Sequence, residues 1–141
     1  LLADDLENAK MLLGLTDVEG GGVIITITDN SEKQVDSTDL LDLVNELNSA
    51  GAEAISINGQ RIVPMTDIFD VNDFVVIKEK RVTSPYIIKA IGDVTYLQSA
   101  LSIKKGYLDE HKTNGYTISI KSDEKITINK YDGELKSDYI K

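Results

Sequence analysis

Apolar residues recur along this chain with two different periods, and each period predicts one kind of element. Spacings of three and four residues predict one helix from Leu40 to Leu47 and a second helical region from Leu97 to Leu108. Alternating or β-branched runs predict strands at residues 23–28, 54–57, 61–63, 66–71, 74–77, 86–91, 117–121 and 125–130. The pattern therefore indicates a domain that contains both strands and helices.

The ends of these elements carry residues that are typical of turns and caps. Asn58-Gly59 separates two strands, and this pair predicts a two-residue hairpin because both turn positions need a positive φ. Ser37-Thr38 is placed to cap the first helix and Asp93 to cap the second, while Ala50-Gly51 supplies a glycine stop. Ser122-Asp123-Glu124 is expected to turn the chain between the last two strands.

The two halves of the chain share an order of elements, namely strand, helix, strand, turn and strand. Because a strand–helix–strand connection is right-handed, both helices are expected on the same face of the sheet. The sequence therefore predicts an α+β fold in which two helices pack on one face of a mixed β-sheet. It also predicts a βαββ unit that is used twice as a pseudo-repeat.

The segment before the first strand has the spacing of a coiled coil. Its apolar residues recur at intervals of four, three and four and are Leu2, Leu6, Ala9 and Leu13. Glu19-Gly20-Gly21-Gly22 follows as a flexible joint, and the chain starts with Leu rather than Met. We therefore expect residues 1–19 to be the end of a helical stalk in a longer protein and residues 20–141 to form one α+β domain. The alternative is a short helix that docks on the domain.

Charge and composition exclude several classes of function. The chain has 24 acidic and 15 basic residues, and its net charge of −9 repels a phosphate backbone or an anionic lipid surface. Nucleic acid is therefore not an expected partner. The chain has no Cys and a single His, His111, which excludes thiolate zinc sites, iron–sulfur clusters and sites that need two imidazoles. We expect no cofactor.

Two acidic residues occupy matching positions after strands. Asp29 follows the first strand, and Asp93 follows the strand at residues 86–91. Carboxylate oxygens suit a hard cation such as Mg²⁺ or Ca²⁺, and with Arg61 these residues would form a catalytic cluster if they converged in one pocket. Caps and turns are the simpler explanation, because Asp is common at both. We therefore expect no metal site and no catalytic site, and we predict that the domain is not an enzyme.

Four further residues are candidates for contact with a ligand or a protein partner, in addition to Asp29 and Asp93. Arg61 and Arg81 carry guanidinium groups that bind carboxylates in a fork, although surface ion pairing is the more common role in an acidic chain. Asn58 lies in the predicted hairpin turn. Tyr86, like the other tyrosines, offers contact area at a small loss of side-chain entropy.

Three stretches of the sequence carry a resemblance to a known family. They are Gly22 to Asp29, Leu43 to Ile62 with its Asn58-Gly59 hairpin, and Ser84 to Asp93. In these stretches the chain resembles the YlxW/YlxX-like bacterial family known as domain of unknown function 881. Members often show a second asparagine–glycine hairpin where this chain has Lys78-Glu79-Lys80.

The resemblance implies a setting for the domain. It implies a membrane anchor and a coiled coil that precede a domain outside the cytoplasmic membrane, often encoded near cell-division genes in Gram-positive bacteria, with no enzymatic activity. We therefore expect a non-catalytic interaction module of the cell envelope, linked to cell division or wall synthesis. It would have protein partners and would form a homodimer through the stalk. The alternative is a sensor of an amino acid or a wall fragment, because paired βαββ units resemble amino-acid-binding regulatory domains.

Overall fold

The computed structural model describes residues 6, 14, 16–29, 34–64, 66–102 and 117–131. The elements with defined bounds in these ranges are β1 (Val18–Thr28), α1 (Ser37–Ser49), β2 (Ala54–Ile57), β3 (Gln60–Ile62), β4 (Ile68–Val71), β5 (Phe74–Ile77), β6 (Lys80–Val82), β7 (Tyr86–Ile91), α2 (Val94–Ser102) and β8 (Thr117–Ile128). Most of the segment predicted to be a coiled coil lies outside the described residues. Its one described member, Leu6, is helical and exposed, so the stalk stays a prediction.

The strands form two separate sheets. Five of them follow the order β3-β2-β7-β1-β8, and the other three follow the order β4-β5-β6. α1 connects β1 to β2, which run in the same direction, but β7 lies between them and pairs antiparallel with both. The α+β class is therefore confirmed, while the insertion of β7 replaces the parallel contact expected in a mixed sheet with two antiparallel ones.

Both helices cover the same face of the five-stranded sheet, as the sequence predicts, and the second sheet closes the core beside them. The buried cluster on this face includes Val23, Ile25 and Ile27 from β1, Leu40, Leu43, Val44 and Leu47 from α1, Leu97 and Leu101 from α2, and Ile68, Val75, Ile77 and Val82 from the second sheet. Each such side chain contributes roughly 1.5–3 kcal/mol when it is fully buried. This cluster therefore holds the two sheets and the helices together.

The start of α1 is bonded to the second sheet. Asp36 is the N-cap, and it forms a capping box in which its side chain accepts from the Asp39 N–H at 3.0 Å while the Asp39 side chain accepts from the Asp36 N–H at 3.0 Å. Ser37 is buried, and its N–H and hydroxyl donate to Asp70 of β4 at 3.0 and 2.7 Å. The predicted cap at Ser37-Thr38 is therefore wrong, because Ser37 bonds outward to β4 and the residue before it caps the helix.

The glycines predicted to form a flexible joint lie inside β1. This strand begins at Val18 and pairs with β7 on one side and β8 on the other. A β-carbon on Gly22 would collide with the carbonyl oxygen of Ala90, so the missing side chain allows the two strands to approach. The prediction of a joint is therefore wrong, while the division of the chain at residues 19 and 20 stays a prediction.

The last strand is continuous where a turn was predicted. β8 pairs with β1 along its length, and the register changes once, since Gly20 pairs with Ile126 but Gly22 pairs with Asp123. β8 therefore has one extra residue at this point, which is a β-bulge opposite Gly21. The turn predicted at residues 122–124 is wrong because a bulge takes its place.

The bulge decides which face each half of β8 presents. A single added residue reverses the alternation of side chains. Ile118 and Ile120 consequently pack against the helix-covered core, whereas Ile126 and Ile128 are buried in a second cluster with Ala54 and Ile91 on the opposite face. Because the second half of the chain ends in one strand and not in a hairpin, the βαββ pseudo-repeat is not confirmed.

Candidate interaction surface

The two acidic candidates lie at opposite ends of the five-stranded sheet. β7 (Tyr86–Ile91) separates them, which places them on the order of 20 Å apart at about 3.3 Å per residue. The Asp29 carboxylate accepts from the Val35 N–H at 2.7 Å, and the Asp93 carboxylate caps α2 by accepting from the Tyr96 N–H at 3.0 Å. In the described part of the chain, no three His, Cys, Asp or Glu residues are grouped so that they could hold a metal ion.

Asn58 joins the β2–β3 hairpin to the start of β7. Asn58 and Gly59 have φ values of 47° and 82°, so the predicted two-residue turn is confirmed. The Asn58 side-chain oxygen accepts from the Ile87 N–H at 2.6 Å, and its amide group donates to the carbonyl oxygens of Thr83 and Pro85 at 3.3 and 3.4 Å. The polar atoms of this side chain are thus used within the fold.

Tyr86 belongs to the core. Its side chain is 4% exposed and lies in the cluster beneath the helices. Burial raises the pKa of its hydroxyl to about 12, and the nearby carboxylates of Asp29 and Asp70 act in the same direction. Tyr86 is therefore un-ionised at neutral pH and offers little surface to a partner.

Arg61 is also buried, although the sequence favoured a surface ion pair. It is 3% exposed, and its Nη1 donates to the carbonyl oxygens of Thr16 and Asn129 at 2.9 and 3.2 Å. Desolvation lowers the pKa of the guanidinium, and the charge of Asp17 partly offsets this effect. The surface interpretation is wrong because Arg61 links the segment before β1 to the segment after β8.

Arg81 is the one sequence candidate that lies on an exposed surface with apolar neighbours. Its guanidinium carbon lies 4.4 Å from the centroid of the Phe74 ring, which is the geometry of a cation–π contact. β4, β5 and β6 are in register, so their outward side chains share one face of the second sheet. We call this the outer face, and its residues are Phe69, Val71, Phe74, Val76 and Arg81.

The outer face is largely apolar, and apart from Val76, which is buried, its side chains are exposed to solvent. Phe69, Val71 and Phe74 are 44%, 45% and 38% exposed. Scattered exposed apolar residues are ordinary, but these three are adjacent through strand pairing and form one apolar patch beside a guanidinium. This face was not predicted from the sequence, although Phe69 and Val71 flank Asp70 with the alternation that places both on one side of a strand.

A groove lies between α1 and the β3 edge. Its volume is about 300 Å³, at the lower limit of pockets that bind small molecules. Apolar side chains such as Val44 and Ile62 line it, together with the polar side chains of Asn45, Asn48 and Glu53. The groove is therefore a concave feature that is separate from the outer face. No helix in the described ranges is both long enough and apolar enough to cross a membrane.

Comparison with known proteins shows relatives of this chain in two groups of bacteria. It is 32% identical over 151 residues to the UPF0749 protein YlxX of Bacillus subtilis, an alignment that covers 99% of this chain and 64% of the relative. It is 27% identical over 132 residues to the UPF0749 protein YlxW of the same species, covering 87% of this chain and 57% of the relative. It is 33% identical over 123 residues to the UPF0749 protein Rv1825 of Mycobacterium tuberculosis, covering 84% and 42%. The chain thus spans about half the length of these relatives.

The fold is also found in a solved structure. The crystal structure of an uncharacterized conserved protein from Mycobacterium tuberculosis superposes with a TM-score of 0.83 at 30% identity, over 94% of this chain and 96% of that one. The sequence profile of the family described as bacterial protein of unknown function (DUF881) matches residues 5–141. The chain therefore belongs to the DUF881 family.

Proposed function

We propose that this domain is a non-catalytic interaction module of the bacterial cell envelope, and that its outer face binds protein partners. The whole protein would be anchored in the membrane by a segment outside this chain and would present the domain on the extracytoplasmic side. Its role would lie in cell division or wall synthesis. The coiled-coil spacing at residues 2–13, which suits a stalk, supports this layout.

The observation that carries the proposal is the exposed outer face. Two aromatic rings and a valine remain in water there, each 38% or more exposed, beside the guanidinium of Arg81. Aromatic residues and Arg are enriched at the energetic centres of protein interfaces. The other candidate residues are used inside the fold as caps, clamps and a buried link. An interface is therefore the use that best suits the outer face.

The test is capture of partners by crosslinking of the full-length protein in its own membrane. Phe69→Ser with Phe74→Ser should lower the yield of specifically crosslinked division or wall-synthesis proteins by about tenfold, because removing an aromatic anchor from an interface typically costs more than 1 kcal/mol. Tyr96→Ser is the matched control, since Tyr96 is 68% exposed but lies on α2. Circular dichroism checks that each variant folds.

Two results would contradict the proposal. Equal capture by the outer-face variant and the wild-type protein would show that partners bind elsewhere. Hydrolysis of a peptidoglycan or nucleotide panel by the purified domain at enzyme-like rates would show that the domain is catalytic.

The groove beside α1 supports a second candidate function, that of a sensor for an amino acid or a wall fragment. In that case a ligand should raise the melting temperature of the wild-type domain, because binding to the native state alone stabilises it. Asn48→Ala, which removes one polar group from the groove lining, should reduce the shift. A panel of amino acids and muropeptides that leaves the melting temperature unchanged would rule out this function for those ligands.

A further inference from the structure

The outer face is bordered by a strand with open backbone groups. β6 is an edge strand of the second sheet, and a two-residue turn, Lys78-Glu79, precedes it. Ile77 and Lys80 flank this turn and are paired. Such flanking residues exchange both backbone hydrogen bonds, and bonded and non-bonded pairs alternate along an antiparallel ladder. The N–H and C=O groups of Arg81, one residue further along, therefore point away from β5.

At two other edge positions, the backbone groups that point away from the sheet are hydrogen-bonded by other parts of the chain. Beyond β3, the Val63 N–H donates to the Thr66 hydroxyl at 2.9 Å, and the Val63 carbonyl accepts from the Thr66 N–H at 2.9 Å. Beyond β6, the carbonyl of Thr83 accepts from Asn58. The hydrogen bonds found among the described residues include no such cover for the main chain of Arg81. An added strand would satisfy these groups.

The side chains at this edge define the chemistry of an occupant. The guanidinium of Arg81 is exposed and sits on Phe74, so a carboxylate that approaches along β6 meets a cation beside an aromatic surface. The chain as a whole carries a net charge of −9, which disfavours a polyacidic partner. A single acidic side chain between apolar ones matches both the local cation and the apolar outer face.

The size of the outer face argues against a second copy of this chain as the occupant. The exposed parts of Phe69, Val71 and Phe74 amount to roughly 200 Å², since an aromatic side chain presents about 150–250 Å² when whole. A stable protein interface needs about 800 Å² from each partner. A short extended segment fits this area because main-chain hydrogen bonds supply part of its affinity.

We propose that β6 binds an extended peptide segment of a partner protein as an added strand, with an acidic side chain at Arg81 and apolar side chains over the outer face. This inference rests on the proposed function and names the class of its partner. The peptide residue opposite Arg81 exchanges both backbone hydrogen bonds with it. The neighbouring residues of the peptide direct their N–H groups away from the sheet.

The probe is the acetylated and amidated peptide Thr-Val-Thr-Glu-Thr-Phe-Thr, which places Val, Glu and Phe on one side of a strand. We expect a titration followed by amide NMR to shift the resonances of Arg81 and its neighbours in β6. Methylation of the Glu nitrogen should weaken binding about tenfold, because it removes a ladder hydrogen bond. Methylation of the Thr nitrogen before it is the matched control and should change the affinity less than about twofold, since that group faces away.

The charge contact is tested separately. Arg81→Glu should weaken binding about fivefold or more, and a probe with Lys in place of Glu should recover affinity for this variant. Equal weakening by the two methylated peptides would overturn strand addition. So would the absence of any shift in β6 at millimolar peptide.

These results are distinguishable from the test of the proposed function. Suppose that Phe69→Ser with Phe74→Ser abolishes partner capture, while methylation of either peptide nitrogen weakens binding equally. The interaction module then stands and strand addition is overturned. If partner capture is unaffected by the outer-face variant, the proposed function itself fails.

Discussion

The backbone of Gly22 passes so close to Ala90 that a β-carbon at Gly22 would collide with the Ala90 carbonyl oxygen. This approach joins β1 to β7 near the middle of the five-stranded sheet. We expect Gly22→Ala to lower the free energy of unfolding by more than about 3 kcal/mol, because backbone on both sides must move to admit the methyl group. Urea denaturation followed by circular dichroism measures the change.

Gly21 provides the control for this prediction. Its nearest neighbours would lie 3.7 Å from an added β-carbon, which is ordinary van der Waals contact. Gly21→Ala should therefore change the free energy of unfolding by less than about 1 kcal/mol. Similar effects of the two substitutions would show that strand propensity, and not the approach to Ala90, sets the need for glycine.

The turn between β5 and β6 offers a gain in stability. Lys78 and Glu79 have φ values of 51° and 66°, a conformation that glycine adopts without strain. Glu79→Gly should raise the free energy of unfolding by about 0.5–1 kcal/mol, even after the greater entropy of the unfolded chain is counted. Thermal and urea denaturation measure it. Glu79→Ala keeps a β-carbon and should give no gain, so an equal gain from Ala would assign the effect to the removed charge.

Stability should depend on the ionisation of Tyr86 at alkaline pH. Burial raises its pKa to about 12, whereas a tyrosine in an unfolded chain titrates near 10. The unfolded state therefore loses its proton first, and stability falls as the pH rises from 10 to 12. By pH 11 the wild-type domain should lose about 1 kcal/mol more than Tyr86→Phe, relative to pH 8. Tyr96→Phe, which alters an exposed ring, should show the wild-type loss, and a wild-type loss in Tyr86→Phe would refute the assignment.

The bulge in β8 can be tested by deletion. Removing Glu124 alone should restore regular pairing with β1 and keep Ile126 and Ile128 opposite their β1 partners, on their buried face. Removing Glu124 and Lys125 together leaves β8 one residue short, which should direct Ile126 and Ile128 to the wrong face. We expect the double deletion to lower the free energy of unfolding by about 2 kcal/mol or more, since two buried side chains lose their contacts. The single deletion is the control and should cost less than about 1 kcal/mol. Equal losses from the two deletions would mean that the sheet adapts to either register.

Local signals predicted the elements well wherever a single residue type decides the conformation. Asn58 and Gly59 adopt the positive φ values expected of their turn, and the Asp93 side chain caps α2 as predicted. The cap of α1 was misplaced because Asp70, a residue distant in sequence, bonds to Ser37. The sequence of the helix alone does not indicate this hydrogen bond between Ser37 and Asp70.

The errors in β1 and β8 share one cause. Three consecutive glycines and a run of polar residues at 122–124 both suggest flexible or turning chain when they are considered alone. In the sheet the two segments pair with each other. Gly22 admits the close approach of Ala90, and the polar run forms the bulge opposite Gly21. A one-dimensional pattern does not contain this pairing.

The candidate site was predicted least well. Asp29, Asn58 and Arg61 carry polar groups that suggest contact with a partner, but the side chain of each bonds to a backbone group outside its own element. The apolar face around Phe74 was hidden because apolar residues in a strand are first assumed to be buried. Only the three-dimensional packing shows which side of the β4–β6 sheet contacts the core and which side is exposed.

The position of β7 between β1 and β2 governs the order in which this domain is able to assemble during synthesis. Until residues 86–91 have left the ribosome, β1 has no partner for its β7 edge, and the β2–β3 hairpin has nothing to attach to. In the nascent chain, the apolar strands β1 and β2 therefore lack their β7 partner while the ribosome translates β4, β5 and β6. Pairings between such distant segments close slowly and expose strand edges to neighbouring chains.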